Sequence, residues 1–187
     1  MKKRLQIGII GSAGLDKTDI AEKFAYEAGK KLAERGHVLV FGPELQPPSL
    51  STLAAKTAFE NGGTTLAVAL GRGKTKFVGM EYVSVWTYPD YAGGGGREVA
   101  LANSCDGVIV IGGGVGTLME IAVSYTNLVP IVLLDKTGGW VDKLTEDYLD
   151  SRKKVKLFRC SNIEDAVTYI ESESIKRNLR ELTNKVV

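Results

Sequence analysis

The chain has 187 residues, 44% of them apolar and 25% charged, which is typical of a folded globular protein and excludes a disordered or fibrous one. Its net charge of +2 predicts no binding to nucleic acid or to an anionic membrane. Two distant cysteines and a single histidine, His37, exclude a disulfide framework, a zinc site of ordinary spacing and a Ser-His-Asp triad. No apolar run approaches the ~18 residues of a membrane span. We therefore expect one cytoplasmic domain over residues 1–187, with His37 in a structural role.

Short β-branched runs alternate with longer helical patterns along the chain. The predicted strands are Leu5–Ile10, Val38–Phe41, Thr64–Leu70, Tyr82–Thr87, Gly107–Ile111, Val129–Leu134 and Val155–Arg159. The predicted helices are Asp16–Arg35, Ser49–Asn61, Arg97–Ser104, Val115–Asn127, Trp140–Asp150 and Asn162 to about Leu182. Several strand runs are apolar on both faces, as in a parallel sheet covered by helices. The pattern predicts a Rossmann-like α/β fold, a single doubly wound, mostly parallel sheet of about seven strands with helices on both faces.

Three glycine clusters fall at the ends of predicted strands or the starts of helices: Gly8–Gly14, Gly93–Gly96 and Gly112–Thr117. Open α/β sheets bind ligands at the carboxyl ends of their strands, and N–H groups at a helix N-terminus bind phosphate or carboxylate. A tight turn without a ligand is the alternative for Gly112–Thr117, but four glycines in five positions exceed what a turn needs. The predicted phosphate-binding residues are Gly11, Ser12, Gly113, Gly114, Val115, Gly116 and Thr117.

The helix predicted after the third cluster carries its polar residues on one face: Thr117, Glu120, Ser124 and Asn127. A solvent-facing side is the simpler interpretation of this stripe. Met119 and Val123, however, leave the helix apolar on nearly every other face, so we expect Glu120 to line a groove or an interface. The same excess of apolar faces predicts a homodimer or a higher homo-oligomer.

Arg97 stands at the start of its predicted helix, directly after four glycines. Because the helix macrodipole disfavours a cation there, an adjacent anion or a carboxylate such as Glu120 would explain the position. An exposed arginine whose side chain reaches into solvent is the alternative. The neighbouring Glu98 is expected to be a favourable acid of the first turn rather than a catalytic group.

Arg97 is followed 23 positions later by Glu120, within the pattern Gly113-Gly114-x-Gly116-Thr117-x-x-Glu120. This pattern resembles the Rossmann-like family named lysine decarboxylase-like, which includes the LONELY GUY phosphoribohydrolases and the molybdenum-cofactor carrier proteins. The phosphoribohydrolases cleave the N-glycosidic bond of an N6-modified adenosine 5'-monophosphate. The resemblance implies a catalytic pair in which Glu120 stabilises an oxocarbenium ion or orients water, while Arg97 holds Glu120 and assists at the ribose or the leaving base.

Three features depart from the phosphoribohydrolase pattern. Gly112 replaces the leading proline of the glycine motif and Glu98 replaces a lysine, so the chain resembles the carrier-like branch more closely. The segment Pro43–Pro48 stands where the family has a glycine-rich loop, and its three prolines remove three N–H donors. We expect this segment to contact a ligand through side chains such as Glu44 or Gln46, or not at all.

Two functions therefore stay open. The chain is an enzyme that hydrolyses a nucleoside 5'-monophosphate to base and ribose 5-phosphate, or it is a non-catalytic carrier or sensor of molybdenum cofactor or another phosphorylated heterocycle. Both hypotheses imply a small phosphorylated ligand, and neither implies a metal or a resident cofactor.

Overall fold

The structure, a computed structural model, describes residues 4–13, 17–45, 49–71, 76–89 and 96–184. The strands are β1 Gln6–Gly11, β2 Val38–Phe41, β3 Thr64–Val68, β4 Val85–Thr87, β5 Gly107–Ile111, β6 Ile131–Leu134 and β7 Leu157–Cys160. The helices are α1 Asp19–Arg35, α2 Leu50–Glu60, α3 Gly96–Asn103, α4 Val115–Thr126, α5 Gly139–Lys143 and α6 Ile163–Asn184, and Met80–Tyr82 form a 3-10 turn. No helix within these ranges is both long enough and apolar enough to cross a membrane.

The seven strands form one parallel sheet in the order β4-β3-β2-β1-β5-β6-β7. Ile7 of β1 pairs with Leu39 on one side and with Gly107 on the other. From β1, the strands β2, β3 and β4 follow one another to one edge of the sheet. The strands β5, β6 and β7 then follow one another from the other side of β1 to the opposite edge. The carboxyl ends of β1 and β5 therefore flank the point at which the strand order reverses, where open α/β sheets bind ligands.

Helices cover both faces of the sheet, which confirms the predicted Rossmann-like fold. On one face, α1, α2 and α6 pack apolar side chains such as Leu32, Ala54 and Ile170 against the strands. On the other face, α3, α4 and α5 contribute Leu101, Ile121 and Val141. β5 is buried along its whole length because it lies between these two layers.

The predicted helix boundaries hold where local chemistry decides them. The Ser49 hydroxyl caps α2 by accepting a hydrogen bond from the Thr52 N–H, as predicted. Gly36 ends α1 in the left-handed region at φ 72°, a conformation that glycine adopts without strain. Thr18 caps α1, whereas Asp16, at which the helix is predicted to begin, lies outside the described residues.

The helix predicted over Trp140–Asp150 is wrong, since α5 ends at Lys143. Distant contacts turn the chain back toward β7 instead. The Asp147 carbonyl accepts a hydrogen bond from the Leu157 N–H at 2.8 Å, and the Asp150 carboxylate accepts one from the Tyr125 hydroxyl at 3.0 Å.

His37 has the structural role that the sequence predicts. The ring is buried just before β2, and its Nδ1 accepts a hydrogen bond from the Leu5 N–H at 3.2 Å. Because Nδ1 is an acceptor, Nε2 carries the proton and donates to Glu171 of α6 at 2.9 Å. The imidazole therefore ties α6 to the start of the sheet.

Candidate functional site

A cleft of about 170 Å³ lies at the carboxyl ends of β1 and β5, where the strand order reverses. It brings together residues that are far apart in the sequence, from the end of β1, the loop after β2, the first turns of α2 and α3, and the start of α4. The predicted site residues that line it are Gly11, Gly114, Gly116, Thr117, Arg97 and Glu120.

The N-terminus of α4 forms one wall of the cleft. Gly114 precedes the helix and has no side chain to cap it, so within the described residues no side-chain cap bonds the first N–H groups, on Val115, Gly116 and Thr117. A Cβ atom on Gly114 would meet nothing within 4 Å, and one on Gly116 would meet only a Glu98 oxygen at 3.9 Å. The cleft beside this helix terminus is therefore open, and backbone amides border it.

Glycine is required at position 113 for a different reason. Its φ is 104°, and a Cβ there would lie 2.5 Å from the Thr117 side chain. The close approach allows the loop to fold tightly onto the first turn of α4, which places the amides of that turn beside the cleft.

The hydroxyl groups of Ser12 and Thr117 form hydrogen bonds with the backbone of the protein itself. Ser12 Oγ accepts a hydrogen bond from the Gly113 N–H at 2.8 Å, and Thr117 Oγ1 donates to the Gly11 carbonyl at 3.3 Å. Both contacts join the end of β1 to the loop after β5. Ser12 and Gly113 thus hold the loop in place without lining the cleft themselves, and the Val115 side chain is exposed.

Arg97 lies on the opposite wall, in the first turn of α3. Its Nη2 lies 3.1 Å from Glu44 Oε1 and 3.4 Å from Glu98 Oε1, and its Nη1 donates to the Pro43 carbonyl at 3.2 Å. A Cβ on Gly42 would be only 3.3 Å from the guanidinium carbon, so glycine at that position allows the guanidinium to pack against the backbone.

The expected ion pair between Arg97 and Glu120 is wrong. Within the described ranges, the acidic partners of Arg97 are Glu44 and Glu98. The contact between Arg97 and Glu44 could not be read from the sequence, because it depends on how the loop after β2 folds across the sheet. The departure of this loop from the glycine-rich family pattern was the only indication that its side chains face the cleft.

Glu120 lines the cleft with 7% of its surface exposed, which confirms that it faces a groove rather than solvent. Among the residues that the structure describes, none hydrogen-bonds to its carboxyl group or forms an ion pair with it. Burial raises the pKa of Glu120 from 4.5 to about 8, although the positive charge of Arg97 lowers it; Glu98 and Glu44 raise it further. The carboxyl group therefore holds its proton at neutral pH.

The described part of the chain contains no group of three His, Cys, Asp or Glu side chains that could hold a metal ion. The backbone amides and the Glu120 carboxyl group of α4 line one side of the cleft, and Arg97 and Glu44 line the other side, where Glu98 contacts Arg97.

A model of the SLOG cluster4 family matches residues 4–167, which span both walls of the cleft. The chain belongs to the SLOG cluster4 family. It is also 32% identical over 174 residues to an Archaeoglobus fulgidus protein named only as uncharacterized, covering 93% of this chain and 99% of that protein.

Solved structures extend the similarity. A structural-genomics target named TM1055 is 28% identical with a TM-score of 0.74, covering 90% of this chain and 99% of that one. The molybdenum cofactor carrier protein from Chlamydomonas reinhardtii is 25% identical with a TM-score of 0.73, covering 91% of this chain and 98% of the carrier. These similarities confirm the predicted family and its carrier-like branch.

Proposed function

We propose that this SLOG protein binds molybdenum cofactor, or a related phosphorylated heterocycle, and carries it without cleaving it. The similarity to the Chlamydomonas reinhardtii carrier over nearly the full length of both chains supports this ligand class. The open cleft at the strand-order reversal supports a ligand of small-molecule size.

The phosphate of the ligand binds at the N-terminus of α4. The N–H groups of Val115, Gly116 and Thr117 lie in the first turn of this helix, where N–H groups bind anions, and the helix macrodipole places a partial positive charge at the same position. No cationic side chain is needed for this contact.

The contacts of Arg97 are the observation that favours a carrier over a hydrolase, because within the described residues its acidic partners are Glu44 and Glu98 and not Glu120. Glycosidic cleavage passes through an oxocarbenium-like state that an ionised carboxylate stabilises. Glu120, with its pKa raised to about 8, is mostly uncharged at neutral pH, and Arg97 is occupied by Glu44 and Glu98. The two residues of the implied catalytic pair therefore lack the mutual contact that the resemblance implies, and burial disfavours the charged form of Glu120.

Hydrolysis is the second candidate, because Arg97 and Glu120 line the same cleft. A protonated Glu120 could also act as a general acid toward a departing base. This alternative predicts turnover that is lost in Glu120→Gln.

Two assays on the same preparation separate the candidates. The protein is first mixed with molybdenum cofactor, passed through a desalting column and analysed for bound molybdenum. It is then incubated with a panel of nucleoside 5'-monophosphates, and free base is measured by chromatography. We expect about one molybdenum atom per protein chain after desalting and no release of free base from any nucleotide. Glu120→Gln should give the same two results. Base release from any nucleotide by the wild type, abolished in Glu120→Gln, would replace the carrier proposal with the hydrolase.

A further inference from the structure

Glu44 lies on the wall of the cleft opposite α4 and is not one of the predicted phosphate-binding residues. Its backbone is fixed on two sides, since its carbonyl accepts a hydrogen bond from the Val78 N–H at 2.9 Å and the preceding Pro43 carbonyl accepts one from Arg97. The carboxylate is 31% exposed and borders the cleft. Glu44 is therefore held in position while part of its carboxylate stays accessible to a ligand.

The contact with Arg97 uses only part of the acceptor capacity of Glu44. Glu44 and Glu98 both contact Arg97, so two carboxylates share one guanidinium. Glu44 meets Arg97 through Oε1, and a carboxylate has about four lone-pair positions, so acceptor capacity remains. A ligand group at this wall is favoured if it brings hydrogen-bond donors and disfavoured if it brings acceptors.

Glu120, on the α4 side of the cleft, provides a second, independent indication of a ligand in the same cleft. It is nine-tenths buried, borders the cleft, and has no hydrogen-bond partner among the described residues. Buried polar groups are nearly always paired, so a carboxyl group in this state is expected to meet a polar atom of a bound molecule.

We propose that Glu44 selects heterocycles with an amidine-type edge, in which a ring N–H and an exocyclic amine lie side by side, as in guanine and pterins. The two parallel donors match the two oxygens of a carboxylate, which accepts such pairs in a bidentate manner. Adenine presents a ring acceptor beside its amine, which a carboxylate repels. Hypoxanthine keeps the ring N–H but lacks the amine. This inference rests on the proposed function, because it takes the phosphate of the same ligand to bind at α4.

Isothermal titration with GMP, IMP and AMP tests the proposal, because these probes share the phosphate and ribose and differ only at the base edge. We expect the wild type to bind GMP about tenfold more tightly than IMP or AMP. With IMP the carboxylate loses one of two hydrogen bonds, and with AMP it meets a ring acceptor. In Glu44→Gln this ratio should fall to about twofold or less, because the neutral amide no longer offers two acceptor oxygens. The control is Glu60→Gln, the same change on the exposed end of α2, which should keep the wild-type ratio.

The ratio isolates base recognition from changes in phosphate affinity. If Glu44 is only a counter-ion of Arg97, Glu44→Gln will shift all three affinities together, and the unchanged ratio will overturn the inference. Equal binding of GMP and IMP by the wild type, or preference for AMP, would also overturn it while leaving a phosphate-binding carrier intact. Absence of GMP binding would overturn it as well, and bound molybdenum in the desalting assay then shows whether the proposed function survives.

Discussion

Glu120 is buried near the N-terminus of α4, and its protonation state affects the stability of the fold. Its pKa is raised from 4.5 to about 8 in the folded protein, mainly by burial. The folded state therefore binds more protons than the unfolded state between about pH 4.5 and pH 8, and the free energy of unfolding falls as pH rises through this range. Each pKa unit corresponds to about 1.4 kcal/mol, so the effect is on the order of a few kcal/mol.

We expect Glu120→Gln to remove this dependence, because the amide has the same shape and no charge to desolvate. Urea unfolding at pH 5 and at pH 8.5 measures the difference. The variant should match the wild type at pH 5 and exceed it by a few kcal/mol at pH 8.5, at about 1.4 kcal/mol per pKa unit. Parallel pH profiles for the two proteins would show that Glu120 is ionised in the folded state at neutral pH.

The N-terminus of α4 is the element that the proposed carrier uses for phosphate, and Gly116 allows a direct test of it. A Cβ at this position has space, and an aspartate in the first turn is favourable for the helix. Gly116→Asp should therefore fold normally while its carboxylate occupies the anion position, and affinity for a phosphorylated ligand should fall at least about tenfold.

Gly116→Ala is the matched control for this change, since it adds a Cβ without the charge. We expect its affinity, measured by titration with the same ligand, to stay within about threefold of the wild type. Equal loss of affinity in both variants would assign the effect to space rather than to charge. Unchanged affinity in Gly116→Asp would place the phosphate elsewhere.

The outer face of α4 bears on the predicted homo-oligomer. Val115, Met119 and Leu128 are exposed on this helix and the turn after it, and Val99 is exposed on the adjacent α3. We expect the wild type to sediment as a dimer or larger species at micromolar concentration, and Met119→Lys to shift it toward monomer, because a charge in an apolar interface is costly to bury. Met80→Lys, at an exposed position on the 3-10 turn, should leave the assembly unchanged. A monomeric wild type would contradict the prediction.

The same elements show how far the sequence determines the structure. β2 and β5 match their predicted bounds, since runs of apolar residues between glycine or proline turns leave few alternatives. The start of α4 at Val115 was likewise predictable from the glycines before it. The end of α5 was not, because the turns after it depend on contacts with Tyr125 and Leu157. The contacts of Arg97 with Pro43 and Glu44 were missed for the same reason, since Pro43 lies 54 residues away in the sequence.

At the scale of the whole molecule, the strand order determines where chemistry can occur. Because β1 and β5 are neighbours in the sheet although about 100 residues separate them in the chain, the loops after β1, β2 and β5 meet at one cleft. The amides and Glu120 of α4 then face Arg97 of α3 and Glu44 of the loop after β2 across it. This arrangement suits a ligand with an anionic end and a donor-rich end.

A crystal structure of the protein with molybdenum cofactor tests the proposed carrier function most directly. The proposal predicts intact cofactor in the cleft, with phosphate oxygens about 3 Å from the amide nitrogens of Gly116 and Thr117. The heterocycle should contact Glu44 on the wall opposite α4. Cofactor bound away from the α4 N-terminus, or a cleft that binds none at saturating concentration, would contradict the proposal.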